Sequence, residues 1–153
     1  MTMRVGIGYD SHRFAPSRRL VLGGVAIEHD AGLEGHSDAD VVAHALIDAV
    51  LGAAGLGDLG THFPPTDERW RDADSLDLLR TVLGEVRGAV ANADVTVICE
   101  HPALGPHRAE MEHLLGEALS APVSVKATTN EGMGWIGRGE GIAAIAVALL
   151  DAG

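Results

Sequence analysis

An aspartate and a histidine lie in the stretch Gly-Tyr-Asp-Ser-His, residues 8–12, at the end of a short apolar run, residues 5–7, which predicts a β-strand over residues 3–9. Successive side chains of an extended chain alternate between its two faces, so Asp10 and His12 point the same way, about 7 Å apart along the strand. A carboxylate and an imidazole on one face suit a divalent ion, zinc above all. Because Asp-x-His occurs by chance in many proteins, a metal site also requires a third ligand from elsewhere in the chain.

The third ligand is expected on a helix predicted over residues 38–54. Asp40, His44 and Asp48 lie four residues apart and share one face of this helix, because each step of four residues turns the side chain by only about 40°. Apolar residues at core spacing occupy the opposite face. A polar helix face is usually solvated, but this one consists of groups that bind metals. His44 is therefore the predicted third ligand.

Length, charge and cysteine content restrict the class of protein. The chain of 153 residues predicts one domain, 1-153, whose core is built from Val, Ile, Leu and Ala because aromatic residues make up only 3%. A net charge of -11 argues against a nucleic-acid partner. The longest apolar run, residues 142–150, is too short for a membrane span, and no signal-peptide pattern is found. The single cysteine excludes an intrachain disulfide and favours a cytoplasmic protein.

The remaining elements are predicted from apolar periodicity and turn residues. They are a hairpin over residues 19–27, a helix from a cap at Asp74 to about residue 90, a strand over residues 94–99, a helix over residues 107–119 and a strand over residues 123–129. Periodicity alone fits either a helix or a buried strand over residues 142–150, and the flanking glycines and short length favour the strand. Ser37 or Asp38 is the predicted N-cap of the helix over residues 38–54. Residues 130–141 contain five glycines, so their backbone amides are predicted to bind phosphate, although neither a P-loop nor a Rossmann fingerprint is present.

Short motifs occur in order along nearly the whole chain. They are Gly-Tyr-Asp-Ser-His at residues 8–12, Gly-His-Ser-Asp-x-Asp at residues 35–40, His-Ala-Leu-x-Asp-Ala at residues 44–49, Gly-Asp-x-Gly at residues 57–60, Lys-Ala-Thr-Thr at residues 126–129 and Arg-Gly-Glu-Gly at residues 138–141. Together they resemble the 2-C-methyl-D-erythritol 2,4-cyclodiphosphate synthase family, the cyclases of the non-mevalonate isoprenoid pathway. The resemblance implies an α+β two-layer sandwich with helices on one face of a mixed sheet. It also implies a homotrimer around a sheet-lined three-fold axis, with active sites between subunits.

The resemblance implies a reaction and its metal ions. The family converts 4-diphosphocytidyl-2-C-methyl-D-erythritol 2-phosphate to the 2,4-cyclodiphosphate and CMP. One Zn²⁺ per subunit would be bound by Asp10, His12 and His44, in agreement with the prediction from the residues. Glu131 falls where the family holds a second divalent ion, Mg²⁺ or Mn²⁺, between the substrate phosphates. His36 and Thr129 are the remaining catalytic residues that the resemblance implies.

Further residues are assigned to the substrate by the same resemblance. They are Ser37, Asp58, Leu59, Gly60, Phe63, Asp67, Cys99, Pro102, Leu104, Ala127, Thr128, Trp135 and Arg138. Asp48 is expected to lie behind His44 and to support it. Arg138 and Glu140 are expected to face a pore on the three-fold axis where an isoprenoid diphosphate binds, or else to form a ring of ion pairs between subunits. Pro65 and Ala103 stand where the family has an aspartate and a lysine.

Two other functions are compatible with the same residues. A metal-dependent phosphohydrolase would use the three ligands to activate a water molecule instead of a phosphate. A non-enzymatic trimer would bind isoprenoid or nucleotide diphosphates without turning them over. Product analysis separates these functions, because only the cyclase releases a cyclic diphosphate together with CMP.

Overall fold

A five-stranded mixed sheet forms one layer of the protein, whose computed structural model describes residues 1–153. The strands are β1 (Met3–Ala15), β2 (Leu20–Leu22), β3 (Val25–Ile27), β4 (Gly32–Leu33), β5 (Ala89–Ile98), β6 (Val123–Thr128) and β7 (Gly141–Asp151). The main sheet has the order β4-β1-β7-β5-β6, and β2 and β3 form a separate hairpin. Only β5 and β6 run parallel, while the other neighbours are antiparallel.

The helices form the second layer. They are α1 (Val41–Ala54), α2 (Leu59–His62), α3 (Ser75–Leu83), α4 (Arg108–Leu119) and α5 (Gly134–Gly137), with 3₁₀ turns at Glu68–Trp70 and Gly105–His107. Helix α1 packs on β1 and β7, α4 packs on β6, and α3 contacts both helices. The predicted α+β class with a mixed sheet is confirmed. The longest helix, α1, has 14 residues, so none of the helices is long enough to span a bilayer.

Two glycines in β1 allow α1 to lie directly against the sheet. A Cβ atom on Gly6 or Gly8 would overlap the backbone carbonyl oxygens of Ala49 or Ala45 in the helix. With no side chains between them, the helix and strand backbones come into contact. The close approach brings residues of α1 next to the later residues of β1 that point to the same face of the sheet.

The opposite face of the sheet is apolar and exposed. Val5, Ile7 and Tyr9 of β1 are 68%, 70% and 56% exposed, and Ile145 and Val147 of β7 lie on the neighbouring strand. We call these five residues the outer apolar face. Contiguous exposed apolar patches are uncommon on monomeric proteins and are typical of surfaces that contact a protein, a membrane or a ligand. Strand β1 thus carries the glycines on its inner face and the apolar side chains on its outer face.

Two predicted boundaries near the N-terminus are wrong. Strand β1 continues to Ala15 instead of ending near residue 9, because β7 pairs with it along its whole length. Helix α1 begins at Val41, and its N-cap is Asp40, not Ser37 or Asp38. The buried Asp40 carboxylate accepts hydrogen bonds from four backbone amides, those of Gly23, Gly24, Val42 and Ala43. It therefore also fixes the turn of the β2–β3 hairpin to the start of α1.

The boundary between α3 and β5 also differs from the prediction. Helix α3 ends at Leu83, not near residue 90, because the following amides of Glu85 and Val86 bond to the carbonyl groups three residues earlier, not four. Strand β5 then starts at Ala89, five residues earlier than predicted. Strands β6 and β7 and the hairpin agree with the predicted positions.

Candidate active site

Asp10, His12 and His44 form a cluster where β1 meets α1. Asp10 Oδ2 lies 2.9 Å from His12 Nε2 and 3.1 Å from His44 Nδ1, and the two ring nitrogens are 3.2 Å apart. Two ligands that bind one zinc ion at about 2.0–2.1 Å with tetrahedral geometry lie about 3.3 Å from each other. The three separations match one face of a tetrahedral metal site, and the predicted cluster is confirmed.

A backbone carbonyl group fixes the tautomer of His12. Its Nδ1 lies 2.8 Å from the carbonyl oxygen of Glu34, which only accepts hydrogen bonds. The Nδ1 atom therefore carries the proton of the neutral ring. His12 Nε2 is left with a lone pair, and this lone pair faces Asp10 and His44.

A serine and an aspartate fix the tautomer of His44. His44 Nε2 lies 2.8 Å from Ser75 Oγ, and the Ser75 hydroxyl donates to Asp38 Oδ1. Because an ionised carboxylate only accepts, the Ser75 proton points to Asp38, and the Ser75 oxygen accepts from His44. The His44 proton then lies on Nε2, and its Nδ1 lone pair points into the cluster. Two imidazole lone pairs and a carboxylate converge there, which is the donor set of a divalent metal site.

The charges within the cluster favour an ionised Asp10. Burial raises the pKa of Asp10, but the hydrogen bonds and charges of His12 and His44 outweigh it and hold that pKa at about 2. Burial likewise lowers the pKa of His12, and the hydrogen bond and charge of Asp10 more than offset this, so the pKa of His12 is raised. A proton on His12 therefore competes with a metal ion for the same lone pair.

A pocket of about 200 Å³ opens beside the cluster. It is lined by Asp10, His12, His36, Ser37, His44, Leu59, Gly60, Phe63, Pro65, Trp70 and Leu78. Five of these, His36, Ser37, Leu59, Gly60 and Phe63, are predicted substrate or catalytic residues. The wall opposite the cluster is largely apolar, which suits the hydrocarbon part of a ligand whose charged part faces the metal site.

The loop between β4 and α1 is anchored at both ends of its polar segment. Arg18 donates to the carbonyl oxygens of Gly35 and Ser37, at 2.8 and 2.6 Å. His36 Nε2 lies 2.9 Å from the carbonyl oxygen of Asp67, so this nitrogen carries a proton. The Ser37 hydroxyl lies 3.0 Å from His44 Nε2, so it faces the histidine while the residue lines the pocket.

Three acidic residues assigned from the sequence have local structural partners. Asp48 does not hydrogen-bond to His44 as expected, because its carboxylate accepts from the Leu59 amide at 2.7 Å and holds the start of α2. Asp58 caps the same helix through Thr61. Asp67 pairs with Arg69 at 2.6 Å. The hydrogen-bonded support for His44 that was expected from Asp48 comes instead from Ser75 and, through it, Asp38.

A second groove, of about 420 Å³, lies at the other edge of the sheet. It is lined by Val97, Leu104, Gly105, Arg108, Met111, Val125, Lys126 and Ala127. Leu104 and Ala127 are predicted substrate contacts, whereas Arg108 carried no sequence signal beyond its charge. Cys99 and Pro102 lie in the segment that leads to this groove. Burial raises the pKa of the Cys99 thiol to about 11, and the neutral thiol donates to the carbonyl oxygen of His101.

The glycine-rich segment after β6 does not present free amides at its start. Each amide of residues 130–133 has a partner: Asn130 and Gly132 donate to Glu100, Glu131 donates to Thr129 Oγ1, and Met133 donates to the Asn130 carbonyl. The prediction that backbone amides of this segment bind phosphate is therefore wrong for residues 130–133. The exposed groups here are the side chains of Thr128, Thr129 and Glu131.

The end of the same segment lies beside β1. Trp135 and Glu140 share a cavity of about 190 Å³ with His12 and its two sequence neighbours. Arg138 Nε and Glu140 Oε2 are 2.8 Å apart, so these two predicted pore residues pair within one chain.

The predicted substrate residues of β6 lie far from the metal cluster within one chain, although Trp135 lies beside His12. Asp10 pairs with Ala144, Ala144 with Val97, and Val97 with Ala127, so the four residues form one row across β1, β7, β5 and β6. Neighbouring strands are about 4.8 Å apart, which places the row's ends about 14 Å from each other. The pocket beside the metal cluster contains no residue of β6 or of the glycine-rich segment.

Comparison with known proteins identifies the family. A model of the YgbB family matches residues 3–151. The chain belongs to the YgbB family. It is 58% identical over 154 residues to the 2-C-methyl-D-erythritol 2,4-cyclodiphosphate synthase of Symbiobacterium thermophilum, covering 97% of this chain and 98% of that protein.

Solved structures agree with this YgbB assignment. A 2C-methyl-D-erythritol-2,4-cyclodiphosphate synthase in its CDP-bound form superposes with a TM-score of 0.87 and 40% identity, covering 97% of this chain and 100% of that one. The bifunctional IspDF of Campylobacter jejuni superposes with a TM-score of 0.93 and 39% identity. This superposition covers 97% of the present chain and 42% of the longer IspDF chain.

Proposed function

We propose that this YgbB protein converts 4-diphosphocytidyl-2-C-methyl-D-erythritol 2-phosphate to 2-C-methyl-D-erythritol 2,4-cyclodiphosphate and CMP. The observation that carries the proposal is the cluster of Asp10, His12 and His44, whose lone pairs converge beside a ligand-sized pocket. The relative with 58% identity over the full chain bears the name of that synthase. The CDP-bound structure supports a cytidine nucleotide as the bound part of the substrate.

The donor sets suggest two different metal ions. Two imidazole nitrogens and one carboxylate oxygen suit Zn²⁺, one per subunit, on Asp10, His12 and His44. When bound, zinc supplies a Lewis acid that withdraws charge from a phosphate oxygen. Glu131, an exposed carboxylate, suits a harder ion, Mg²⁺ or Mn²⁺, shared with oxygen atoms of the substrate.

The substrate contains both the nucleophile and the leaving group of this reaction. An oxygen of its 2-phosphate forms a bond to the β-phosphorus, and the bond from the β-phosphorus to the bridging oxygen breaks, so CMP leaves with the electron pair. No protein nucleophile is needed, which agrees with the neutral, buried thiol of Cys99. The task of the chain is to fold the substrate so that its two phosphates meet in line.

Individual residues would orient this substrate. The His36 ring is fixed through its Nε2–H to Asp67, so its other nitrogen is available at the pocket. The Thr129 hydroxyl oxygen accepts from the Glu131 amide, so its own proton is free to be donated to a phosphate oxygen. Apolar contacts from Leu59, Gly60 and Phe63 would bind the erythritol carbon chain.

The active protein is proposed to be a homotrimer around a three-fold axis. Residues at the two ends of the row across the sheet are about 14 Å apart, which is too far for one diphosphate to contact both within a single chain. A neighbouring copy that covers the outer apolar face would bring its glycine-rich segment to the metal cluster and complete each site. Arg138 and Glu140 would then face the axis, where an isoprenoid diphosphate is the proposed ligand. A cytoplasmic location is compatible with the free Cys99.

Phosphorus NMR of the product mixture, with and without a metal chelator, tests the reaction. We expect the two coupled resonances of a cyclic diphosphate together with CMP, and no product after chelation. A linear phosphate would identify a phosphohydrolase instead. Nucleotide binding without any turnover, unchanged by removal of the metal ligands, would identify a binding protein.

Sedimentation of an Ile7→Lys variant tests the assembly. A charge in the middle of the outer apolar face is expected to dissociate the trimer into monomers, because burying an unpaired ammonium group is costly. The monomer should still bind zinc, since all three ligands come from one chain, but it should not turn over substrate. An Arg87→Lys variant in the loop before β5 is the matched control that stays trimeric. Trimers that persist in Ile7→Lys would exclude this face as the interface.

A further inference from the structure

The carboxylate of Glu100 is bound to two amides of the glycine-rich segment. Its Oε2 atom accepts from the Asn130 amide at 2.9 Å, and its Oε1 atom accepts from the Gly132 amide at 2.7 Å. Glu100 itself follows β5, about thirty residues away in sequence, and is half-buried. Hydrogen bonds from backbone amides to an ionised carboxylate are stronger than those between neutral groups.

The residue between these two amides has an unfavourable backbone conformation. Glu131 has φ +55, the left-handed region that non-glycine residues adopt only at a cost. Such a conformation persists only when its surroundings determine it. Glu100 supplies this constraint, because it binds the amide on either side of Glu131 and leaves the Glu131 amide to Thr129 Oγ1 at 3.2 Å.

Nearby backbone amides that converge on an anion, here those of Asn130 and Gly132, form the kind of concave site that binds phosphate in other proteins. Here a carboxylate of the same chain fills that site. A phosphate is thereby excluded from the amides of residues 130 and 132 and is left with the exposed side chains of Thr128, Thr129 and Glu131.

We infer that Glu100 is a positioning residue for the phosphate-binding side chains. It is an internal anion that sets the backbone of residues 129–132, so that the Thr129 hydroxyl proton and the Glu131 carboxylate face the ligand. The inference rests on the proposed function, because it concerns how the diphosphate of that substrate is held. Glu100 does not itself contact the substrate.

Binding of CDP with Mn²⁺ to the assembled protein, measured by calorimetry, tests the inference. Glu100→Ala should weaken this binding about ten- to a hundredfold, the effect expected when hydrogen bonds to a charged group are lost. Glu112→Ala is the matched control: Glu112 also accepts a backbone amide, that of Val125 at 2.9 Å, but has no contact with residues 129–132. CDP affinity in this control should stay within about twofold of the parent protein.

Chemical rescue distinguishes positioning from general structural support. Removing the carboxylate of Glu100 opens the anion site, so added formate should restore CDP affinity in Glu100→Ala. Formate should not restore it in Glu131→Gln, where the site is still filled. Glu100→Gln, which keeps one acceptor oxygen and the side-chain volume, should bind CDP with intermediate affinity and without formate dependence. Absence of rescue in a folded Glu100→Ala protein would overturn the inference.

Two further measurements keep the inference separate from the proposed function. Amide resonances of Asn130 and Gly132 should shift in Glu100→Ala and return with formate, whether or not a nucleotide binds, and unchanged resonances would overturn the inference. The double variant with Glu131→Gln should lose less CDP affinity than the sum of the two single losses, because Glu100 acts partly through Glu131. Additive losses would also overturn it. Failure of the parent protein to bind CDP would instead contradict the proposed function.

Discussion

The metal cluster and the glycine-rich segment are two halves of one proposed site, but they are built differently. Asp10, His12 and His44 come from one strand and one helix that touch directly, and each histidine tautomer is fixed within the chain. Thr129 and Glu131 are exposed, and they are held by a bond between the Glu131 amide and Thr129 Oγ1 and by the bonds of Glu100 to the neighbouring amides of Asn130 and Gly132. The metal half is thus complete within one chain, whereas in the proposed trimer the other half would serve the site of a neighbouring subunit.

The largest effect is expected from removing a ligand of the metal cluster. His44→Ala removes one of three ligands, and turnover should fall about a thousandfold, because metal polarisation of a phosphate is worth several kcal/mol and each 1.4 kcal/mol is tenfold. Zinc content by elemental analysis should fall in parallel. His113→Ala, an exposed histidine on α4, is the matched control and should retain both. Undiminished zinc in His44→Ala would show that the ligand assignment is wrong.

The next effect concerns the hydrogen bonds that prepare the cluster. Ser75→Ala removes the nearer of the two hydroxyls that face His44 Nε2 and leaves Asp38 without its hydroxyl partner, so zinc affinity should fall about ten- to a hundredfold. Competition with a chromogenic chelator measures this change. Ser124→Ala, whose hydroxyl donates to Asp94 on another strand, should leave zinc affinity unaltered. Equal affinities of the two variants would mean that the cluster does not depend on this support.

A smaller effect is expected from pH. The pKa of His12 is raised by Asp10, so protons compete with zinc for Nε2 from a higher pH than for an ordinary histidine. Zinc affinity should be constant above that raised pKa and should fall about tenfold per pH unit below it for each displaced proton. Asp10, with its pKa at about 2, should add no further step between pH 4 and pH 8. Asp10→Asn should shift the midpoint to lower pH, and an unshifted midpoint would contradict the pairing.

The smallest effect is expected from mixing two inactive variants. This experiment tests most directly whether the metal cluster and the glycine-rich segment of one site come from different subunits. Neither His44→Ala nor Glu131→Gln subunits should be active alone, but mixed trimers should regain about a quarter of the parent activity. This fraction follows because a site between random neighbours has one chance in four of combining the two intact halves. Refolding of the mixed chains, followed by a CMP-release assay, measures it. No recovery from a mixture of proven mixed trimers would place both halves in one chain.

The metal ligands were predictable because the signals for them are local. Strand alternation places Asp10 and His12 on one face, and helical spacing places His44 on a single stripe. The partners of these ligands were not predictable, because Glu34, Ser75 and Asp38 reach them only through tertiary contacts. A serine at the first turn of a helix normally indicates a helix start, and its contact with a distant histidine leaves no pattern in the sequence.

The predictions for the loops were wrong for the same reason, because the partners of the loop residues are also set by tertiary contacts. The glycine content of residues 130–141 correctly indicates an unusual backbone, but not that Glu100 occupies the amides. Asp40 was predicted to share a metal-binding face, whereas its carboxylate joins α1 to the hairpin. Both carboxylates bind backbone amides brought close by the fold. Composition reveals that such groups exist and not which amides they meet.

The alternating side chains of strand β1 restrict which mutations this chain can accept during evolution. Alternate residues of one strand serve the helix, the metal cluster and the outer apolar face, so all three depend on the same two-residue period. Substitutions can adjust each surface separately. Insertion or deletion of a single residue between Val5 and His12 would instead exchange the two faces, burying Ile7 or Tyr9 against α1 and turning a ligand outward. The length of the strand is therefore as restricted as its two glycines and its metal ligands, whereas the apolar residues of the outer face can be exchanged for one another.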